Sequence, residues 1–148
     1  MIDELPPEIE ALRKIPFFED LTSEDLERIA RVGHRRTFAA GDAIVTRGGE
    51  DPGLFVIVSG TATVSAGGRT HRLTAGDFVG EMALLASRPR TATVVADERV
   101  EALVVSTMYF KPFLIANPSV AVHILEVVAE RLRNLQDELE RGEDENDE

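Results

Sequence analysis

The chain has 148 residues, of which 43% are hydrophobic and 29% are charged, a size and composition typical of one globular domain with its own core. Its net charge is −11 and it contains no cysteine, which excludes disulfides, cysteine-ligated metals and a thiol nucleophile. The N-terminus lacks a signal sequence and no apolar run reaches the roughly 18 residues of a membrane helix, so a cytoplasmic protein that contacts no membrane is expected.

The first third of the sequence is predicted to be helical. The N-terminal segment 1–14 is expected to contain a short helix over 8–14, because two prolines precede it and proline fits a first helical turn. A second helix is predicted over 23–32, with Thr22 as its N-cap and Gly33 as its end.

The middle of the sequence, from about residue 37 to 106, changes to short β-rich runs separated by glycines. The runs are 43–46, 54–58, 61–65, 69–73, 78–79, 91–96 and 100–105. Glycine permits the positive φ angles of tight turns, and short strands at this spacing favour a sandwich or barrel. Strands this short suit a double-stranded β-helix, or jelly-roll barrel, better than a parallel α/β sheet.

The last third is again predicted to be helical, with one helix over 107–116 and a longer one that Ser119 caps and that reaches about Glu140. Along the longer helix, apolar residues alternate at spacings of four and three: Ala121, Leu125, Val128, Leu132, Leu135 and Leu139. This heptad pattern predicts either packing on the chain's own barrel or a homodimer through the helix. The main domain is therefore expected to span 15–140.

The negative charge is concentrated at the C-terminus. The segment 137–148 holds eight acidic residues and one basic residue, which leaves 19 acids and 15 bases in the rest of the chain. We therefore expect 141–148 to be a disordered acidic tail, and its charge disfavours contact with nucleic-acid phosphates.

One stretch, 75–92, carries residues that suit a sugar phosphate. Gly80 lets a ligand lie against the backbone, and the first amides of a short helix predicted over 82–86 favour an anion. Arg90 offers a planar guanidinium for phosphate oxygens. Glu81 would repel a bare phosphate, so it suits a ligand that also donates a ribose hydroxyl. Together these residues indicate a ribose phosphate.

This stretch resembles the phosphate-binding cassette of cyclic-nucleotide-binding domains. The matching residues are Gly80-Glu81-Met82-Ala83-Leu84-Leu85 and, three residues later, Pro89-Arg90-Thr91-Ala92. Further matching motifs are Ile15-Pro16-Phe17-Phe18, Gly41-Asp42-x-Ile44, Leu54-Phe55-Val56-Ile57-x-x-Gly60 and Ala75-Gly76-Asp77-Phe78, so the resemblance covers about 12–139. Val79 departs from the family, which commonly has an aromatic residue there. The resemblance implies an eight-stranded jelly roll with flanking helices and a final long helix that acts as a lid or a dimer contact.

The resemblance also implies roles for single residues. Glu81 would accept the ribose 2′-OH, Arg90 would pair with the cyclic phosphate, and Thr91 would bond to the phosphate or the base. Backbone contacts would come from Gly80, Met82 and Ala83. Base or lid contacts would come from Arg131, Asn134, Leu135 and Gln136 on the last helix. The implied ligand is cAMP or cGMP, with cAMP favoured, and no cofactor or metal is implied.

These features together indicate a sensor without enzymatic activity that signals through its last helix to a homodimer or to an effector protein. Bacterial regulators of the family continue into a helix-turn-helix domain, whereas this sequence ends in an acidic stretch, so a stand-alone sensor without direct DNA binding is expected. One alternative is an interaction module in which Glu81 and Arg90 pair across an empty pocket. Another is a cupin-type metalloenzyme, which requires clustered ligands, whereas His34, His71 and His123 are far apart in the sequence.

Overall fold

The fold begins with helices, as the sequence predicts. The structure is a computed structural model that describes residues 6–49, 53–86 and 90–146. Helix α1 spans Pro7–Arg13, a short 3-10 helix spans Pro16–Phe18, and helix α2 spans Ser23–Val32. The predicted N-cap is confirmed, because the Thr22 hydroxyl accepts a hydrogen bond from the amide of Asp25 at 3.1 Å.

Gly33 ends α2 for a different reason from the expected one. Its φ is −88°, an extended conformation and not the left-handed one of a typical helix-ending glycine. A Cβ at this position would lie 2.9 Å from the carbonyl oxygen of Val104 and 2.9 Å from the side chain of Leu103. The glycine is therefore required because the chain passes close to another strand.

In the described residues, eight strands form two antiparallel four-stranded sheets. They are β1 His34–Phe38, β2 Ala43–Val45, β3 Gly53–Ser59, β4 Ala62–Ala66, β5 Arg69–Leu73, β6 Phe78–Val79, β7 Thr93–Ala96 and β8 Val100–Ser106. The strand orders are β1-β8-β3-β6 in one sheet and β2-β7-β4-β5 in the other. Among the residues that the structure describes, no strand pair joins the two sheets, so the expected jelly-roll barrel is not closed by hydrogen bonds.

Strand β1 is missing from the sequence prediction. Four of its five residues are exposed and only Phe38 is buried, so it lacks the apolar alternation that marks a strand. The segment forms a strand because it pairs antiparallel with β8, with His34 opposite Val104 and Phe38 opposite Val100. Charged side chains are common on such edge strands because they prevent pairing with other chains.

The apolar core is divided into two clusters that share strand β3. Phe55 and Ile57 point into a cluster between the two sheets, and Leu54 and Val56 point into a cluster that the helices cover. Successive strand residues face opposite sides, so a strand with apolar packing on both sides is apolar throughout. The continuous apolar run of β3 thus reflects its position between the two clusters.

Three further helices complete the fold: α3 Glu81–Leu85, α4 Thr107–Ala116 and α5 Pro118–Asn146. The prediction of α4 is confirmed. Helix α5 begins at Pro118, a residue suited to a first turn, and not after a Ser119 cap.

The C-terminal end of α5 also differs from the expectation. The helix continues to Asn146, whereas the sequence predicts an end near Glu140 and a disordered tail over 141–148. Glutamate and arginine are good helix formers, and the single Gly142 costs only about 1 kcal/mol, which is too little to end the helix. Positions 147 and 148 lie outside the described residues.

Within the described ranges, no single helix has both the length and the apolar composition of a membrane span. Helices α4 and α5 meet these criteria only as a pair, and that pair is bent by 110°.

Candidate ligand-binding site

A cavity of about 640 Å³ opens where β6, α3 and the start of β7 meet. All six predicted cassette residues line it: Gly80, Glu81, Met82, Ala83, Arg90 and Thr91. The remaining lining residues are Val45, Phe78, Val79, Ala86, Ala92 and Val94. The structure thus brings the six residues together in a mostly apolar cavity of a size usual for small-molecule sites. Pro89 lies outside the described residues.

Gly80 forms the turn from β6 into α3. Its φ is +84°, in the left-handed region that residues with a side chain adopt only at a cost. A Cβ at Gly80 would also collide with the guanidinium of Arg90 and with the carbonyl oxygen of Gly53. Glycine is therefore required here both for its backbone conformation and for the close approach of two neighbours.

Arg90 is held on one wall of the cavity. Its guanidinium donates a hydrogen bond to the carbonyl oxygen of Gly53, and its Cζ lies 5.8 Å from the centre of the Phe55 ring. Its backbone carbonyl accepts from the amide of Gly48 at 2.8 Å, and its amide donates to the carbonyl of Gly49 at 3.3 Å. A cation over an aromatic face is attracted to it, so the ring and the carbonyl orient the guanidinium. The side chain is partly buried.

Glu81, the first residue of α3, is half-buried and also lines the cavity. Within the part of the chain that the structure describes, its carboxylate makes no ion pair and no side-chain hydrogen bond, either with Arg90 or with any other residue. Arg90 and Glu81 thus line the same cavity and do not form an ion pair with each other. The mutual ion pair of the non-binding alternative is not formed in this structure.

The other cassette residues differ in exposure. Met82 is 60% exposed and Thr91 is exposed, whereas Ala83 is buried. Val79, the residue that departs from the family, lines the cavity and packs against the cluster between the sheets. Its side chain therefore contributes to both the core and the apolar wall.

Two supporting residues of this site were missed by the sequence prediction. The carbonyl of Gly53 and the ring of Phe55 hold Arg90, although Gly53 is 37 positions away in the chain. The sequence predicts a strand over 54–58 and a family motif that includes Phe55, but no contact of either residue with Arg90. No local pattern relates such distant positions, because the contact forms only when the folded chain brings Arg90 beside the start of β3.

The predicted base and lid residues lie elsewhere. Arg131, Asn134 and Leu135 line a separate groove of about 840 Å³, together with Glu19, Asp20 and other residues of α5. Gln136 lines neither site, and in the described ranges no residue of α5 lines the cassette cavity. The structure does not bring these four residues to the cassette.

Helix α5 has an exposed apolar stripe, which we call the outer stripe. It consists of Val122, Leu125, Ala129, Leu132, Gln136 and Leu139, all exposed. Leu125, Leu132 and Leu139 are 67%, 57% and 63% exposed. At 100° per residue these positions share one face, whereas Val120 and Ile124, which anchor α5 on the domain, lie on the opposite one. The predicted heptad pattern is thus shifted, because Ala121 and Val128 are half-buried.

The three histidines lie on separate elements, with His34 on β1, His71 on β5 and His123 on α5. The ring of His123 bonds to the backbone carbonyl of Glu19. In the described part of the chain, no three histidine, aspartate or glutamate residues are close enough to hold a metal ion together.

Two antiparallel sheets with flanking helices, and a cavity with Arg90 and Glu81 on its walls, place the chain among small β domains with a ligand-sized cavity. The chain belongs to the cyclic nucleotide-binding domain family, whose model matches residues 35–117, from β1 through α4. It is thus a regulatory domain of the kind that acts in signal transduction.

Relatives of known function match only in part of their length. The chain is 35% identical to a cyclic nucleotide-gated potassium channel of Rhizobium etli over 117 residues, which is 79% of this chain and 33% of the channel. It is 33% identical to the regulatory subunit of cAMP-dependent protein kinase of Mycosarcoma maydis over 113 residues, 70% of this chain and 22% of that protein. The chain therefore spans a third or less of these relatives.

Solved structures are similar over most of the chain. The N-terminal domain of a transcriptional regulator from Streptomyces coelicolor has a TM-score of 0.77 and 30% identity, and the match covers 86% of this chain and 93% of that one. The catabolite activator protein of Thermus thermophilus has a TM-score of 0.63 and 28% identity, with 84% and 62% covered.

Proposed function

We propose that the chain binds a cyclic nucleotide, cAMP in preference to cGMP, in the cassette cavity. The observation that carries this proposal is that Arg90 and Glu81 both line one cavity of about 640 Å³ without forming an ion pair with each other. A cation suits the cyclic phosphate, and a carboxylate suits a ribose hydroxyl. A cyclic nucleotide offers both groups to the two side chains at once.

The proposed roles follow from how each residue is held. Arg90 pairs with the cyclic phosphate, and because Gly53 and Phe55 already orient its guanidinium, little side-chain entropy remains to be lost on binding. Glu81 accepts a hydrogen bond from the 2′-OH. Gly80, Met82 and Ala83 offer backbone contacts, and Thr91 bonds to the phosphate or the base.

We further propose that the chain regulates and does not catalyse. Hydrolysis of the cyclic phosphate needs an activated water, and an arginine on the phosphate with a carboxylate on the ribose does not supply one. The strand orders β1-β8-β3-β6 and β2-β7-β4-β5 also fit a double-sheet jelly roll, the fold that we propose for this regulatory domain.

The signal is proposed to leave through α5. A second copy of the chain would cover the outer stripe in a coiled coil, in which Leu125, Leu132 and Leu139 occupy the same heptad position. Gln136 would then be a polar residue within the apolar seam, a feature that fixes the register of paired helices. An effector protein with an apolar helix of its own is the alternative occupant.

Base recognition is proposed to involve Arg131, Asn134, Leu135 and Gln136, and it requires α5 to change position. Arg131, Asn134 and Leu135 lie in the groove beside Glu19, away from the cassette. Nucleotide binding can shift the equilibrium between the present and the shifted position of α5 only if the nucleotide binds the shifted conformation more tightly.

Titration calorimetry of the purified chain with cAMP and with cGMP tests the proposal. Binding of cAMP at a stoichiometry of one per chain is expected, together with a rise in melting temperature, because a ligand that binds only the folded state stabilises it. If neither nucleotide gives heat or a thermal shift at millimolar concentration, the proposed function is wrong.

A further inference from the structure

We propose that Thr107 positions the Glu81 carboxylate for the ribose 2′-OH, and so determines how strongly the site prefers ribonucleotides over their 2′-deoxy forms. The proposal rests on the proposed function. Thr107 is the one polar residue that is buried in the described part of the chain, with 5% of its surface exposed. Its hydroxyl donates a hydrogen bond to the carbonyl oxygen of Ala83 at 2.6 Å, across 24 positions of sequence.

This hydrogen bond matters because α3 cannot hold its own position. The helix has five residues, too few to be stable without contacts to the rest of the fold. Ala83 is buried and lies near the end of α3, where helix carbonyls lack partners within the helix. Within the described ranges, no other side chain hydrogen-bonds to the backbone of α3. Thr107 is therefore the side-chain anchor of this helix.

Thr107 is itself fixed firmly. It is the first residue of α4, and the Ser106 hydroxyl caps this helix by accepting from the amide of Met108 at 3.2 Å. One turn later, Phe110 is fully buried and packs against Phe18 with ring centres 6.0 Å apart. The Thr107 hydroxyl thus projects from an element that the helical core holds in place.

Thr107 acts at a distance from the ligand. It does not line the cassette cavity, whereas Glu81 does and lies two positions before Ala83 on the same short helix. A shift of the Ala83 carbonyl therefore moves the Glu81 backbone with it. Residues that orient a binding side chain in this way are positioning residues, and their removal weakens binding without any lost ligand contact.

The test compares cAMP with 2′-deoxy-cAMP, which lacks the hydroxyl that Glu81 accepts. Thr107→Val removes the donor but keeps a β-branched side chain of similar shape. We expect it to weaken cAMP binding by about three- to tenfold, the effect of one lost neutral hydrogen bond, and 2′-deoxy-cAMP binding by less than about twofold. Thr107→Ser keeps the hydroxyl and is expected to retain the wild-type affinity for both nucleotides.

Controls separate a positioning role from general loss of structure. Thr63→Val removes another threonine hydroxyl, one on β4 that bonds to Asp97 at 2.8 Å and does not line the cassette cavity, and is expected to leave both affinities unchanged. Thr107→Ala is measured beside Thr107→Val, so that a poorly folded valine variant does not decide the result.

The outcomes distinguish this inference from the proposed function. Equal weakening of both nucleotides by Thr107→Val and Thr107→Ala, or no weakening of either, overturns the positioning role while cAMP binding by the wild type stands. Absence of cAMP binding in the wild type overturns the proposed function and this inference with it.

Discussion

Replacement of Gly80 by alanine is expected to abolish most of the nucleotide affinity. The substitution adds one methyl group at the turn between β6 and α3. That methyl group would occupy space that the Arg90 guanidinium and the Gly53 carbonyl now fill. The Gly53 carbonyl belongs to the backbone of β3 and cannot easily move, so the Arg90 guanidinium must shift. Arg90 is the proposed phosphate ligand.

The magnitude can be divided into two parts. At a φ of +84°, a Cβ costs about 1–2 kcal/mol in backbone conformation. Overpacking by one methyl group adds about 1–3 kcal/mol. The first part can be measured separately at Gly68, which has a φ of +77° in the β4–β5 turn and has nothing within 4 Å of a Cβ among the described neighbours.

Urea unfolding and calorimetry of Gly80→Ala and Gly68→Ala, side by side, provide the assay. Gly68→Ala is expected to lower the free energy of unfolding by about 1–2 kcal/mol and to leave the Kd for cAMP unchanged. Gly80→Ala is expected to lower that free energy by about 2–5 kcal/mol and to raise the Kd more than about tenfold. Equal effects of the two variants on Kd would refute the close approach of Arg90 to Gly80.

Three further predictions concern the ligand and the partner. Arg90→Ala is expected to raise the Kd for cAMP at least about 100-fold, because it leaves the phosphate of the bound ligand as an unpaired buried charge, which costs about 3–5 kcal/mol. His71→Ala, at an exposed position of β5, is expected to leave the Kd unchanged in the same titration. Glu81→Ala is expected to weaken cAMP about tenfold or more but 2′-deoxy-cAMP little, because a hydrogen bond to a charged group contributes about 1.5–3 kcal/mol; equal losses would contradict its role. Leu132→Glu is expected to convert a dimer to a monomer in sedimentation experiments, while Glu130→Gln has no effect; a wild-type monomer with and without cAMP would remove the dimer proposal.

Much of the fold could be predicted because its signals are local. The Thr22 cap, the break after α4 and the glycine-separated strands each depend on a few neighbouring residues. Strand β1 could not, because its exposed, basic residues form a strand only by pairing with β8. The end of α5 differs from the prediction for the opposite reason, since an acidic composition is typical of disordered tails although glutamate also favours helix.

The cassette was predictable as a set of residues but not as a geometry. Its six residues are close in sequence, and the cavity brings all of them together. The residues that orient them are distant in sequence: Gly53 and Phe55 contact the Arg90 guanidinium, and Thr107 donates a hydrogen bond to α3. Sequence spacing therefore identified the residues that line the cavity, whereas the residues that orient them follow only from the packing of strands and helices.

The proposed base contacts and the proposed dimer contact both lie on helix α5, so the two proposals must be considered together. At 100° per residue, Arg131 and Leu135 continue the face that Val120 and Ile124 bury against the domain, whereas Gln136 lies on the outer stripe. One rigid position of α5 cannot bring both faces to the same base.

A dimer through the outer stripe gives the two faces separate roles. If a second copy covers the outer stripe, Gln136 lies in the seam, and the inner-face residues, among them Arg131 and Leu135, are left to contact the base. The elements that link the cassette to α5 within one chain are α3, packed on α4, and α4, packed on α5. Nucleotide is then expected to move α5 through α4, with the hydrogen bond from Thr107 to Ala83 as the first step of that path.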